Sequence, residues 1–406
     1  MGDSSQTIVV AGGSLAGHTV VTELERHGFA GRIIWVRGRE GTAPYSRPAL
    51  SKELIQGKVT AETIRLPVPQ PYGPRTRIMD GAVCARLDPH ADRVLVTRTD
   101  LENRVVGRED RAGPDEQWIS FDALFVCTGT HARVPGAFAG LPGVHSLRTL
   151  ADAERIKERL AVRPRTVVVG AGLVGSEMAA SLRSCGLPVE LIVQGRLPME
   201  AVFGAELGRF CLEQHHANGV TTRLGTTVTG LSAAGPRGPV TLTYDDGRQS
   251  TADMVVLGLG AVTSCDWLDG CGLDLSDGLG CDEAPRTARP NILAAGDVAN
   301  WRHPLFGHRM RVEHWSNASA QARHAVESWL AGQEGRRPPA FADVPYFWSD
   351  QYGLKYQMVG HARGHDEVRV EEAGTGGYPF VTYLREGRVV AAAGVNAPRA
   401  VMRTKA

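Results

Sequence analysis

Short apolar runs closed by glycine recur along the chain, and their pattern predicts parallel strands. Ile8-Val9-Val10-Ala11 runs into Gly12, Thr166-Val167-Val168-Val169 into Gly170, Met254-Val255-Val256-Leu257 into Gly258, and Asn291-Ile292-Leu293-Ala294-Ala295 into Gly296. Apolar runs without polar alternation suit strands buried on both faces, the habit of parallel sheets covered by helices. Ile33-Ile34-Trp35-Val36 and Val189 to Val193 read the same way. Helical stretches follow from Ser176 to Cys185 and from Glu313 to Leu330, and a hairpin-rich region surrounds Val240 to Tyr244. The fold class expected is α/β, with two Rossmann-like nucleotide domains and a C-terminal α+β domain. The first nucleotide domain would occupy 1–147, be interrupted by the second over 148–267, and resume over 268–325. The C-terminal domain would take 326–406.

Two of the strand ends carry chemistry. Gly12-Gly13-Ser14-Leu15-Ala16-Gly17 and Gly170-Ala171-Gly172-Leu173-Val174-Gly175 each join a strand to a helix. Glycines there let the backbone approach a pyrophosphate, and the following helix points its free N–H groups at the phosphates. The second turn fits the dinucleotide fingerprint fully, whereas Ser14 replaces the middle glycine of the first. A chain with two such sites is suited to moving electrons between two dinucleotides.

Composition excludes several alternatives. With 45 Lys plus Arg against 44 Asp plus Glu, the net charge of +1 provides no global field for nucleic acid or a membrane surface. No apolar run reaches the roughly 20 residues of a membrane span, and residues Met1 to Gln6 lack the basic and apolar regions of a signal peptide, so a cytoplasmic protein is expected. The seven cysteines include no C-x-x-C pair. Cys265, Cys271 and Cys281 match no common zinc or iron–sulfur spacing, and no metal site is expected. The charged stretch Thr97 to Gln117 reads as a long hairpin or solvated loop.

Further motifs make a family resemblance specific. Ala294-Ala295-Gly296-Asp297 resembles the second FAD motif of flavoproteins with two dinucleotide domains, and Phe125-Val126-Cys127-Thr128-Gly129 resembles their "ATG" strand end, with Cys127 in the place of alanine. Pro44-Tyr45-Ser46-Arg47-Pro48-Ala49-Leu50-Ser51-Lys52 resembles the PYxRPPLSK segment of the NAD(P)H-dependent ferredoxin and rubredoxin reductases that serve oxygenases, with Ala49 for the second proline. Arg311 to Ala318 resembles their RVEHWxNA, and Tyr346 to Gln351 their YFWSDQ. This resemblance spans nearly the whole chain and implies a glutathione reductase-like fold.

The resemblance also implies site residues. FAD would be held by Gly12, Gly13, Ser14, Ala16, Gly17, Glu40 on the adenosine ribose, Arg47, Cys127, Thr128, Gly129, Arg133, Gly296 and Asp297, the last on a ribityl hydroxyl. Lys52 and Glu177 would form an ion pair beside the flavin N5, and Trp348 would line the flavin pocket. Glu313, His314 and Trp315 would open a helix aimed at the flavin N1 edge. The nicotinamide cofactor would lie on Gly170, Gly172, Leu173, Val174, Gly175 and Glu177, with Gln194, Arg196, Gly258 and Gly260. NADH enzymes usually place an acid where Val193 stands, and Arg196 is close by, so NADH and NADPH are both expected to be accepted.

The activity implied is transfer of a hydride from NAD(P)H to FAD and of single electrons to a small, acidic iron–sulfur ferredoxin, which supplies a cytochrome P450 or Rieske-type oxygenase. Alternatives within the same fold are a flavin NAD(P)H oxidase and a redox interaction protein like apoptosis-inducing factor. Disulfide reductases of the superfamily carry a redox cysteine pair near the first ribose-binding segment, and Glu40 to Leu54 contains none. The basic run Arg302, His303, His308, Arg309 and Arg311 suggests a ferredoxin-docking patch.

Overall fold

The computed structural model describes residues 4–40, 43–67, 72–98, 116–236, 238–373 and 376–405. The chain divides into two compact units, one of residues 1–45, 65–131 and 263–345, the other of residues 46–64, 132–262 and 346–406.

The first unit is built on a five-stranded parallel sheet in the order Ile292–Ala294, Ala123–Val126, Thr7–Ala11, Arg32–Val36, Thr76–Met79. Thr7–Ala11 sits at its centre, with Val9 opposite Ile34 on one side and Leu124 on the other. Alternate residues of this strand enter different cores. Ile8 and Val10 pack with Val20, Leu24 and Trp329, from helices Leu15–Arg26 and Trp315–Gln333. Val9 and Ala11 pack on the other face, in a core holding Leu87, Val94 and Ile119 from an antiparallel three-stranded sheet. Burial on both faces explains why the run lacks polar alternation. In that antiparallel sheet Thr97 pairs with Glu116, so the flanks of the charged stretch are hairpin arms; residues 99–115 lie outside the described residues.

The second unit contains another five-stranded parallel sheet, in the order Thr221–Leu224, Val189–Val193, Thr166–Val169, Met254–Leu257, Val144–Ser146. The hairpin-rich region is a three-stranded antiparallel sheet, Val228–Ala233, Val240–Tyr244 and Gln249–Ala252. Its C-terminal portion is a five-stranded antiparallel sheet in the order Tyr346–Gln351, Leu354–Gly360, Arg388–Val395, Tyr378–Arg385, Glu367–Ala373. Helix Glu200–Ala217 packs Phe203, Leu207 and Cys211 onto that sheet's Tyr356, Val381 and Tyr383. Among the described residues no helix is long and apolar enough to cross a membrane.

Candidate functional site

In the first unit the glycine turn after Ala11 is too crowded for side chains. A carbon added at Gly17 would lie 1.9 Å from the Gly12 carbonyl oxygen, and one added at Gly12 would lie 2.1 Å from that of Cys127. The helix therefore starts directly against the strand end, which aims its first N–H groups over the turn. Gly296 closes in from the far end of the sequence, where an added carbon would lie 3.1 Å from the Ala16 side chain. Its N–H donates to Gln321 Oε1 at 2.9 Å, and Thr130 Oγ1 donates to Asp297 Oδ2 at 3.3 Å. Thr128 Oγ1 donates to the Ser264 carbonyl at 2.6 Å. The first turn, the Thr128-Gly129 strand end and the Gly296-Asp297 pair thus converge at one end of one sheet. Glu40 accepts a hydrogen bond from Tyr45 Oη, while Arg37, its sequence neighbour, is held by Asp80 at 2.5 Å.

The second unit repeats the turn with one informative difference. A carbon at Gly175 would lie 1.8 Å from the Gly170 oxygen, and one at Gly170 would lie 2.4 Å from the Gly258 oxygen, but one at Gly172 would meet nothing within 4 Å. The outer glycines are required by close packing, whereas Gly172 faces open space. That is the position at which a pyrophosphate needs bare backbone. Helix Leu173–Ser184 begins on the next residue, a turn earlier than the pattern suggested. Arg133 is engaged within the same unit, its N–H on the Gly260 carbonyl at 2.9 Å and its guanidinium on the Ala261 carbonyl at 3.2 Å. Arg47 donates to the Arg148 carbonyl.

Lys52 and Glu177, far apart in sequence, form a buried ion pair with Nζ 3.0 Å from Oε1 and side chains 8% and 6% exposed. A charge pair taken this far out of water persists only when its remaining valences are satisfied. They are: Ser51 Oγ donates to Glu177 Oε2 at 2.5 Å, Ser349 Oγ to Oε1 at 2.7 Å, and Lys52 Nζ to the Pro48 carbonyl at 3.1 Å. Ser51 and Lys52 lie in a single π-helical turn, Leu50–Leu54, which lets consecutive residues both reach the carboxylate. Behind Ser349, Gln351 Nε2 donates to its hydroxyl at 3.2 Å and Cys211 Sγ donates to Gln351 Oε1 at 3.5 Å. Burial pushes the Cys211 thiol up to about 12, so it acts here as a neutral donor. Lys52 also borders an open cleft of about 840 Å³ lined by Lys58, Gln351, Tyr352, Lys355 and Asn396.

Ser51, Ser349 and Gln351 are site residues that sequence reasoning passes over. A signal exists, because Phe347, Ser349 and Gln351 are all buried on one face of strand Tyr346–Gln351, and a buried hydroxyl and amide demand partners. Trp348 points from the opposite face, where it stacks on Tyr346 at 6.1 Å and receives Lys355 at 5.7 Å from its ring. Phe347 is a core residue stacked on Phe203, whereas Tyr346 accepts a hydrogen bond from Gln357 at 2.7 Å.

Three expectations change. The basic run at 302–311 is not a free positive patch. Arg309 lies 3.6 Å from Asp274, Arg302 3.9 Å from Glu283, and Arg311 3.0 Å from Asp277 while also holding Glu313. His303 is buried on the Asp343 carbonyl at 3.1 Å. Strand pairing of Leu279–Cys281 with Ala299–Arg302, and of the latter with Arg309–Arg311, brings acids from earlier in the chain beside the arginines. Arg196 is likewise engaged, 2.6 Å from Glu200. Helix Trp315–Gln333 starts at Trp315, with Glu313 and His314 ahead of it. Cys265, Cys271 and Cys281 sit in the apolar core of the first unit, and among the described residues no three His, Cys, Asp or Glu side chains are grouped to hold a metal ion.

Comparison with known proteins agrees with this architecture. Residues 6–322 match the pyridine nucleotide-disulphide oxidoreductase family, and residues 346–406 match the reductase C-terminal family. The chain is 30% identical to a putidaredoxin reductase of Pseudomonas putida, over 98% of this chain and 90% of that protein. It is 31% identical to the ferredoxin–NAD(+) reductase component of the p-cumate 2,3-dioxygenase system of Pseudomonas putida, over 98% and 92%. A solved putidaredoxin reductase, in covalent complex with putidaredoxin, superposes with a TM-score of 0.87 at 29% identity, covering 99% of this chain and 93% of the other. With both parallel sheets, the antiparallel C-terminal sheet and full-length similarity in agreement, this chain is a pyridine nucleotide-disulphide oxidoreductase belonging to the ferredoxin reductases of oxygenase systems.

Proposed function

We propose that the protein is an FAD-dependent NAD(P)H:ferredoxin reductase that supplies a cytochrome P450 or a Rieske-type oxygenase through a small iron–sulfur ferredoxin. The observation that carries this reading is the buried Lys52–Glu177 pair with its two serine donors, a preorganised charge site with no cysteine pair beside it.

The residues present fit two dinucleotides. Bare backbone at Gly172 suits the pyrophosphate of NAD(P)H, and the meeting of Ala16 with Gly296-Asp297 suits that of FAD. Asp297 would accept a ribityl hydroxyl, and Glu40 the adenosine ribose. Bound FAD supplies the chemistry that the side chains lack, accepting two electrons as a hydride and releasing them one at a time.

The chain's own contribution is electrostatic. Lys52 would oppose the negative charge that arrives on the flavin, and Glu177 fixes its ammonium in position. Ser51 and Ser349 keep the carboxylate in a single orientation, so little reorganisation is needed during transfer. Burial pushes the thiols of Cys127 and Cys281 well above their ordinary range, which disfavours thiolate chemistry at those two positions.

The test is NADH- and NADPH-driven cytochrome c reduction with and without ferredoxins of different cluster types. Strong dependence on added ferredoxin is expected. Rapid NAD(P)H consumption matched by oxygen uptake and indifferent to ferredoxin would replace this reading with an oxidase.

A further inference from the structure

The strand that ends the adenosine side of the second glycine turn, Val189–Val193, closes on an apolar residue 2% exposed, so it offers no carboxylate to a ribose. The turn after it is fixed by Gly225 N–H on the Gly195 carbonyl at 2.9 Å and Thr226 N–H on that of Val193 at 3.1 Å. A carbon added at Gly195 would lie 4.0 Å from Glu200 Oε2 and near nothing else, so this carboxylate stands over bare backbone at the strand end. Its other oxygen, Oε1, holds Arg196 Nη2 at 2.6 Å. The segment carrying Glu200 is fastened to the glycine turn itself, because Met199 N–H donates to the Ala171 carbonyl at 2.8 Å. A dinucleotide whose pyrophosphate rests on Gly172 would therefore run its adenosine ribose past Glu200.

We propose that Glu200 is the residue that selects NADH. Its carboxylate accepts the ribose hydroxyls that an acid at position 193 would otherwise take, and it neutralises Arg196, the cation within the turn. A 2′-phosphate would bring nearly two further negative charges against that carboxylate, and the arginine of the turn, Arg196, is already paired with it. Arg223 on the adjacent strand does not serve either, since it is bound to Glu190 at 2.9 Å and lies over the Tyr244 ring at 4.4 Å. This inference rests on reading the second glycine turn as the nicotinamide dinucleotide site, and it reverses the sequence expectation of weak discrimination.

Calorimetric titration of the oxidised holoenzyme with NAD+, NADP+, ADP-ribose and 2′-phospho-ADP-ribose reads binding without turnover. The wild type should bind each member lacking the 2′-phosphate at least about tenfold more tightly than its phosphorylated counterpart, the scale of one charge contact. Glu200→Gln should narrow that ratio to within about threefold, while Arg196→Ala should retain the preference. Equal affinities in the wild type, or an unchanged ratio in Glu200→Gln, would overturn the assignment of Glu200. Absence of binding by all four would overturn the reading of the second glycine turn, and the assignment of Glu200 with it.

Discussion

Ser349 Oγ donates at 2.7 Å to Glu177 Oε1, the same oxygen that stands 3.0 Å from Lys52 Nζ. One carboxylate oxygen is thus shared by a neutral donor on a C-terminal strand and a cation on a π-helical turn, and its position depends on both. Ser349→Ala should leave the buried carboxylate short of a donor, costing about 1 to 3 kcal/mol of stability. Hydride transfer from NAD(P)H should slow by about tenfold. Ser349→Thr, which keeps a hydroxyl, should restore most of the rate. Urea denaturation and stopped-flow reduction of the two variants check this, and equal rates for alanine and wild type would make Ser349 a packing residue only.

Removing one partner of the ion pair should be worse than removing both. Lys52→Ala or Glu177→Ala leaves an uncompensated buried charge, with an expected destabilisation of about 3 to 5 kcal/mol. Lys52→Met combined with Glu177→Gln should recover much of that stability but not the hydride-transfer rate. Denaturant midpoints across the three variants give the comparison. A double variant less stable than either single one would contradict it.

Glycine substitutions should separate packing from ligand approach. Gly172 has φ −78 and ψ −166, a conformation open to any residue, and an added carbon there meets nothing. Gly172→Ala should therefore keep stability within about 0.5 kcal/mol of wild type while weakening NAD(P)H binding. Gly175→Ala forces a carbon to within 1.8 Å of the Gly170 oxygen, and should lower the melting temperature itself. Thermal melts together with dinucleotide titrations would show the split, and a Gly172→Ala protein with normal affinity would move the pyrophosphate elsewhere.

Much of the fold is legible in the sequence because its signals are local. Val10 and Val168 lie in apolar runs whose lack of alternation marks central parallel strands, and the glycines that follow mark the turns. The Lys52 segment and Glu177, two residues past its glycine turn, are likewise carried by short motifs. What the sequence hides is pairing over distance. Nothing near Arg309 in the chain announces Asp274, and the partner of Ser349 lies 172 residues away. Glu200 is the intermediate case: four residues from Arg196, it is close enough in sequence to suggest a pair, but its place over Gly195 depends on the fold.

The neutralised arginine run leads to a prediction about docking. With Arg302 and Arg309 each facing an acid, Arg302→Gln with Arg309→Gln should change the KM for ferredoxin by less than about fivefold, since exposed pairs of this kind are worth at most about 1 kcal/mol. Steady-state kinetics at two ionic strengths provide the measurement. A rise of tenfold or more, suppressed by salt, would return this surface to the docking site.

Electron counting tests the assigned reaction most directly. Under anaerobic conditions, the FAD-loaded protein with a limiting amount of NAD(P)H and excess ferredoxin should reduce two ferredoxins for each nicotinamide oxidised, because one hydride carries two electrons and each iron–sulfur acceptor takes one. Complete nicotinamide oxidation with no ferredoxin reduced, or turnover that proceeds only when oxygen is admitted, would contradict the assignment.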